Sequence, residues 1–264
     1  MELKHAQIKK NLLPVSYLHA RIANNIQKVW NDYKITQTIP TAFSIDNYRN
    51  NFIYDQGNIG SCTANAFCGA YRLMCNAQKK NTSFIPSRLF FYYKERLTEN
   101  DVAHDSGADI IDGLKNTKYY GICSETLWPY NESKFAVKPP VACDINALQN
   151  RIVNYSTIKI DQNLLNNIKQ LINNKSPVMI AILVYSSFLS NDTTNYGIVH
   201  VPNKKTEQLL GGHEMYLTGY NDSNQLFICV NSWGKSWGNN GVCYMPYAYL
   251  TDPQLGLEFT AFTI

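Results

Sequence analysis

The alternation of apolar and polar residues divides this chain into a helical first half and a strand-rich second half. Leu18, Ile22, Ile26, Val29, Trp30 and Tyr33 recur at steps of three and four, which predicts an amphipathic helix near the N-terminus. From Cys62 to about Lys79, small residues (Ala64, Ala66, Gly69, Ala70) and few β-branched ones predict a buried helix. Pro86-Ser87 opens a second helix through Arg96, with proline in an allowed first-turn position. Asp109 to Tyr120 reads as a third, closed by Gly121. The helical part ends near Pro139-Pro140, which reads as a hinge or linker. Beyond it, Asn163 to Asn173 is a helical interruption and Val178 to Tyr185 an apolar β-rich run. His213 to Tyr220 and Leu226 to Val230 read as paired strands around the turn Asn221-Asp222-Ser223-Asn224. A helical half followed by a β half is the α+β pattern.

Candidate chemistry gathers at the start of the first buried helix. In Asp55-Gln56-Gly57-Asn58-Ile59-Gly60-Ser61-Cys62, a cysteine follows a glycine-containing turn directly. A thiol there feels the positive helix end and unpaired backbone N–H groups, and both favour the reactive thiolate. Gln56 lies six residues upstream and offers a side-chain N–H donor. Far downstream stand Gly211-Gly212-His213 and Asn231-Ser232-Trp233-Gly234. Cysteine, histidine, asparagine and glutamine are the four parts of a thiol acyl-transfer site. The six other cysteines read as buried structural thiols, with Cys68 and Cys75 on one helix face. His5, His19, His104 and His200 read as ordinary hydrogen-bonded histidines.

Composition narrows the classes. A chain of 264 residues, 45% hydrophobic and 17% charged, suits one or two compact domains and argues against disorder. The net charge of +4 is spread without a basic run, so no nucleic-acid partner is expected. Met1 to Lys10 is polar, with no secretory apolar core, and no stretch approaches the ~20 apolar residues of a membrane span. The expectation is an intracellular chain, in cytoplasm or a lysosome-like compartment, or one packaged in a virus particle, with reduced thiols. The abundance of asparagine fits an AT-rich genome of a protist, a bacterium or a large DNA virus. There is no Cys-x-x-Cys, His-Glu-x-x-His, Gly-x-Gly-x-x-Gly or Walker loop, so neither metal nor cofactor is expected.

These motifs resemble the papain-like cysteine peptidases, in particular the branch carrying Gly-Ser-Cys-Thr-Ala-Asn-Ala, here Gly60 to Ala66. The resemblance runs from about Pro40 to the C-terminus. Pro40 through Arg49 looks like the mature start, Trp128-Pro129-Tyr130 like the family's Tyr-Pro-Tyr segment, and Asn231 through Gly238 like its Asn-Ser-Trp string. Thr63 stands where the family usually has an aromatic residue. Ile59 stands where secreted members anchor a disulfide.

The resemblance implies a two-lobed fold, with a helical lobe at about 40–140 and a β-barrel-like lobe at about 141–264, the cleft between them. It implies peptide-bond hydrolysis with Cys62 as nucleophile, His213 as base and acid, Asn231 orienting the ring, and Gln56 with the Cys62 N–H holding the oxyanion. A thiolate–imidazolium pair at rest and a thioester acyl-enzyme follow from the same chemistry. Ser106, Gly107, Gly212, Glu214, Trp233 and Trp237 are the substrate-binding residues it implies. Residues 1–39 form either a short propeptide that covers the cleft or an N-terminal extension packed on the domain. The rival reading keeps the fold as a binding or structural module with weakened catalysis; Thr63 and Glu214 favour it.

Overall fold

The computed structural model describes residues 12–13 and 38–264 of the chain. The expected amphipathic helix at Leu18 to Tyr33 falls outside these residues.

The first lobe is built on helix α1, Cys62–Gln78, buried on nearly every side because its small residues let neighbours approach. At Gly69 an added Cβ would come within 2.7 Å of the Tyr216 ring, so the helix lies directly on the sheet. Helix α2, Arg88–Thr98, is capped by Ser87, whose Oγ accepts from the Phe90 N–H. Helix α3, Ile110–Tyr119, is capped by Asp109 accepting from the Ile111 N–H at 2.8 Å. Gly121 follows at φ +81, where the Ala147 carbonyl leaves no room for a Cβ. Phe67 of α1 stacks on Phe91 of α2 at 4.4 Å and tilts against Phe262 at 5.0 Å. Three rings from three elements thus close this core.

The second lobe is a seven-stranded sheet with all pairings antiparallel. Its strands are β1 Ala42–Ser44, β2 Asn154–Thr157, β3 Val178–Tyr185, β4 Leu209–Asn221, β5 Leu226–Val230, β6 Val242–Pro246 and β7 Gly256–Thr263. The order is β2-β7-β3-β4-β5-β6, with β1 beside β4. Strand β3 is buried throughout, which is why it reads as a continuous apolar run. Short helices α4 Val141–Ala147, α5 Leu164–Asn173, α6 Asn191–Tyr196 and α7 Tyr247–Thr251 fill the connections.

Two details differ from the simple division of the chain. Helix α4 begins directly after Pro139-Pro140, so helix continues past the prolines, with Pro140 as its N-cap. Strand β1, in the stretch assigned to the helical half, belongs to the sheet, where Phe43 pairs with Tyr220. The papain-like α+β architecture stands.

Candidate active site

Cys62 is the first residue of α1, so its backbone N–H has no acceptor within the helix. The turn before it is held tightly. Gly57 sits at φ +65, the Gly57 N–H donates to Asp55 Oδ1 at 2.9 Å, and the Gly60 N–H donates to Asp105 Oδ1 at 2.9 Å. The thiol is fully buried. Burial pushes it up to about 12, while backbone hydrogen bonds from Glu214 and Thr63 pull the other way. The Glu214 contact brings the sulfur to the backbone of the residue that follows His213.

His213 lies on β4, buried, with Nε2 2.7 Å from Asn231 Oδ1. The same Oδ1 accepts the Ser232 backbone N–H at 2.7 Å. A backbone N–H can only donate, so the Asn231 atom between them is the oxygen, and Nε2 must carry the proton. That assignment leaves Nδ1 of the neutral ring as a lone-pair base. Nδ1 is buried and has no hydrogen-bond partner. Trp233 covers the ring at a centroid distance of 4.6 Å and 27°. Burial lowers the His213 pKa to about 4, against a smaller upward pull from Asn231. Taken group by group, thiol and imidazole are therefore both held neutral, so burial in this state opposes the resting ion pair expected from their chemistry.

Gln56 is buried beside them. Its Oε1 accepts from Ser232 Oγ at 2.7 Å, its Nε2 donates to the Ile59 carbonyl at 3.1 Å, and its backbone N–H donates to the Ser232 carbonyl at 2.9 Å. Ser232 thus contacts both Asn231 and Gln56 and ties the two lobes at the site. Trp237 stands behind Trp233 in an edge-to-face contact at 5.3 Å and stacks on Phe188, so it supports the covering indole from the core.

Gly107 and Gly212 face a strand-like piece of the chain's own N-terminal segment. Leu13 and Gly212 form an isolated antiparallel bridge. An added Cβ on Gly107 would fall 1.7 Å from Leu13 Cδ2, and one on Gly211 would fall 2.7 Å from Leu12 Cβ. Leu12 and Leu13 are buried. Ser106 adjoins this contact, with Oγ 3.4 Å from the Gly107 carbonyl. Residues 12–13 therefore lie against Gly107, Gly211 and Gly212, next to His213 in sequence.

Glu214 follows His213 on β4 and is buried. Its register partner on β3 is Ala181, which also pairs with Glu258 on β7. Two glutamates thus flank one small residue. Burial first, then Glu258 and Asp109, raise the Glu214 carboxyl well above the usual carboxylate range. Burial and Asp109 raise Glu258 to about 8.

A model of the family "Papain family cysteine protease" matches residues 39–255. The chain belongs to the papain family of cysteine proteases. An uncharacterized peptidase C1-like protein of Acanthamoeba polyphaga mimivirus is 41% identical over 210 residues, 78% of this chain and 67% of that one. Xylellain, a cysteine protease from Xylella fastidiosa, superposes with a TM-score of 0.80 at 32% identity, covering 90% of this chain and 91% of its own. Procathepsin B S9 from Trypanosoma congolense gives 0.75 at 14% identity over 98% and 87%, a likeness of fold. Family membership makes proteins or peptides the substrates.

Thr63, the family's usual aromatic position, has a different partner here. Its Oγ1 donates to Glu95 Oε2 at 2.9 Å, and Glu95 is fully buried on α2. Burial holds the Glu95 carboxyl well above the usual carboxylate range, against a smaller downward pull from Thr63. Gly113 makes room for it, since a Cβ there would come within 2.8 Å of Glu95 Oε1. Neither Glu95 nor Glu258 stood out in the sequence, because each becomes notable only through a contact made across the fold. All seven cysteines are free, and Ile59 is a core residue. Among the described residues no His/Cys/Asp/Glu group could hold a metal ion, and no helix is long and apolar enough to cross a membrane.

Proposed function

We propose that this member of the family is a cysteine endopeptidase using Cys62, His213, Asn231 and Gln56, and that the N-terminal segment holds it latent. The observation that carries this reading is the fixed tautomer of His213, with a buried unpartnered Nδ1, and the contact of Cys62 with the backbone of the next residue, Glu214. Nδ1 takes the thiol proton. Cys62 Sγ attacks the scissile carbonyl carbon, and the oxyanion receives hydrogen bonds from Gln56 and the Cys62 N–H. The C–N bond breaks as the imidazolium protonates the leaving amine, giving a thioester. His213 then removes a proton from water, which attacks the thioester and releases the acid and the thiol.

Leu12 and Leu13 in the cleft support residues 1–39 as a short propeptide, with the peptidase domain at 40–264. Removing that cover rewets Cys62 and His213, which shifts the pair toward thiolate and imidazolium. Glu214 and Glu258, beside the wall that holds Leu13, favour substrates with arginine or lysine at the subsite next to Gly212. Labelling with an epoxide-type thiol probe tests the reading. Modification of Cys62 and not of the other six cysteines is expected. No labelling of a processed, folded chain would establish the weakened binding module instead.

A further inference from the structure

We infer that Glu132, together with Tyr130, is a positioning residue that clamps the turn carrying Gln56. The inference rests on the peptidase reading above. Glu132 Oε2 accepts both the Asn58 backbone N–H at 2.8 Å and Asn58 Nδ2 at 3.1 Å, across 74 residues of sequence. The other oxygen lies over Gly57. A Cβ on that glycine would fall 1.8 Å from Glu132 Oε1, so only glycine, here at φ +65, admits the carboxylate. Tyr130 OH donates to the Gln56 carbonyl at 2.8 Å and meets Ser61 Oγ at 2.6 Å. Two side chains from one short segment thus hold the turn at three successive places, Gln56, Gly57 and Asn58.

The segment is itself rigid, which is what a clamp requires. Arg88 lies 4.0 Å over the Tyr130 ring and pairs with Glu125 at 2.9 Å. The Ser87 hydroxyl donates to the Trp128 carbonyl at 2.6 Å, and Arg96 donates to the Phe135 carbonyl at 2.5 Å. Asn131 caps the short turn Glu132–Lys134. The opposite flank of Gln56 is held by Ser232 from the other lobe. Gln56 is therefore fixed from both sides, and on this flank Glu132 brings a carboxylate to the turn. Hydrogen bonds to a carboxylate are roughly twice as strong as neutral ones. A displacement of ~1 Å in a catalytic group can cost ~10²-fold in rate.

The test uses the full chain, incubated until wild-type peptide hydrolysis is steady, with Glu132→Ala and Glu132→Gln. Backbone amide hydrogen exchange at residues 56–60 should speed about tenfold or more in Glu132→Ala, and kcat should fall about tenfold with little change in KM. Inactivation by iodoacetamide should be unchanged, because displacement of iodide at a saturated carbon forms no oxyanion. Glu132→Gln keeps a carbonyl acceptor for Asn58 and should restore most of both losses. Unchanged exchange in Glu132→Ala overturns the inference, and so does an unchanged kcat. Equal losses in hydrolysis and alkylation overturn it too, since they mean general distortion. A processed wild type that hydrolyses nothing while Glu132→Ala loosens the turn refutes the peptidase reading, and the catalytic role of the clamp with it.

Discussion

Leu13 and Gly212 exchange both backbone hydrogen bonds, each 2.8 Å long, as two residues in adjacent antiparallel strands do. Gly212 immediately precedes His213, so under the proposed function Leu13 pairs where a substrate backbone would lie. A shortened chain beginning at Pro40 should therefore be more active than the full chain by roughly tenfold or more, because a tethered segment competes at an effective concentration in the mM range. The cut spares β1, whose edge is tied by the Thr41 carbonyl accepting from the Asp222 N–H at 2.8 Å. A peptide of residues 1–39 added in trans should inhibit it. Steady-state rates on a fluorogenic peptide check this. A shortened chain that does not fold would make the segment structural.

The catalytic assignment predicts a graded series. Cys62→Ala should abolish hydrolysis, and His213→Ala should lower kcat by about 10⁴-fold, the upper range for loss of a general acid–base. Asn231→Ala removes the acceptor shared by the ring and the Ser232 N–H but leaves the base itself, and its loss should be nearer about 10²-fold. Cys68→Ala and Cys75→Ala, both in the α1 core, should keep kcat and lose some stability. Active-site titration followed by kcat measurement separates these outcomes. Full activity in Cys62→Ala would remove the peptidase reading.

Much of this arrangement was legible in residue order, for local reasons. Ser87 and Asp109 announce helix starts because capping is read within a few residues. Strands β3 and β5 have the bounds the apolar runs suggest, Val178–Tyr185 and Leu226–Val230. Strands β2 and β7 carry no local signal, because Asn154–Thr157 becomes a strand by pairing with residues about a hundred positions away, Thr260 to Thr263. Strand β4 starts at Leu209, before His213, because Tyr185 supplies a partner for it. The same limit applies at the site. Cys62 and Gln56 share one turn and were readable together. Glu132, Glu95 and Glu258 meet that turn, Thr63 and Glu214 only through the fold.

Thr63→Val should cost stability. The substitution keeps the shape and removes the one hydrogen bond to Glu95 Oε2, while Glu95 Oε1 already lacks a partner. A buried acceptor left unsatisfied costs about 1–3 kcal/mol. The urea midpoint measures it. Since α1 starts one residue earlier, at Cys62, alkylation of the thiol in a processed chain should also slow if the helix start shifts.

Stability should depend on pH through Glu258 and His213 with opposite signs. Folded Glu258 keeps its proton to about 8, whereas the unfolded carboxyl releases it near 4.5. Between those values the folded chain binds more protons, so this contribution is lost as pH rises through the window. His213 is protonated only near 4 when folded and near 6.5 when unfolded. There the unfolded chain binds more protons, so its contribution is lost as pH falls. Above about 6.5 only the glutamate effect remains of the two. Between about pH 6.5 and 8, wild type should lose stability relative to Glu258→Gln. Denaturation midpoints for both proteins across that range decide it; parallel curves would mean that Glu258 is not the group responsible.

The same pair bears on specificity. Glu214 and Glu258 pair with opposite edges of Ala181, so two carboxyl-bearing residues flank one small side chain. Glu258 Oε1 is buried without a hydrogen-bond partner. Burial holds both carboxyls above the usual carboxylate range, Glu258 at about 8. An entering guanidinium or ammonium would lower both pKa values and be held by charge-assisted hydrogen bonds. The carboxyls then release protons as the cation binds, so preference for arginine or lysine over leucine should grow with pH from about 5 to 8. The measurement is kcat/KM for fluorogenic peptides varied at the residue two positions before the scissile bond, on the processed enzyme. Glu214→Gln and Glu258→Gln should each reduce the arginine-to-leucine ratio and flatten its pH dependence. Because the two carboxyls act on one cation, the double variant should lose less than the product of the single losses. Identical preference profiles for wild type and both variants would show that the subsite is closed and that the glutamates serve only the fold.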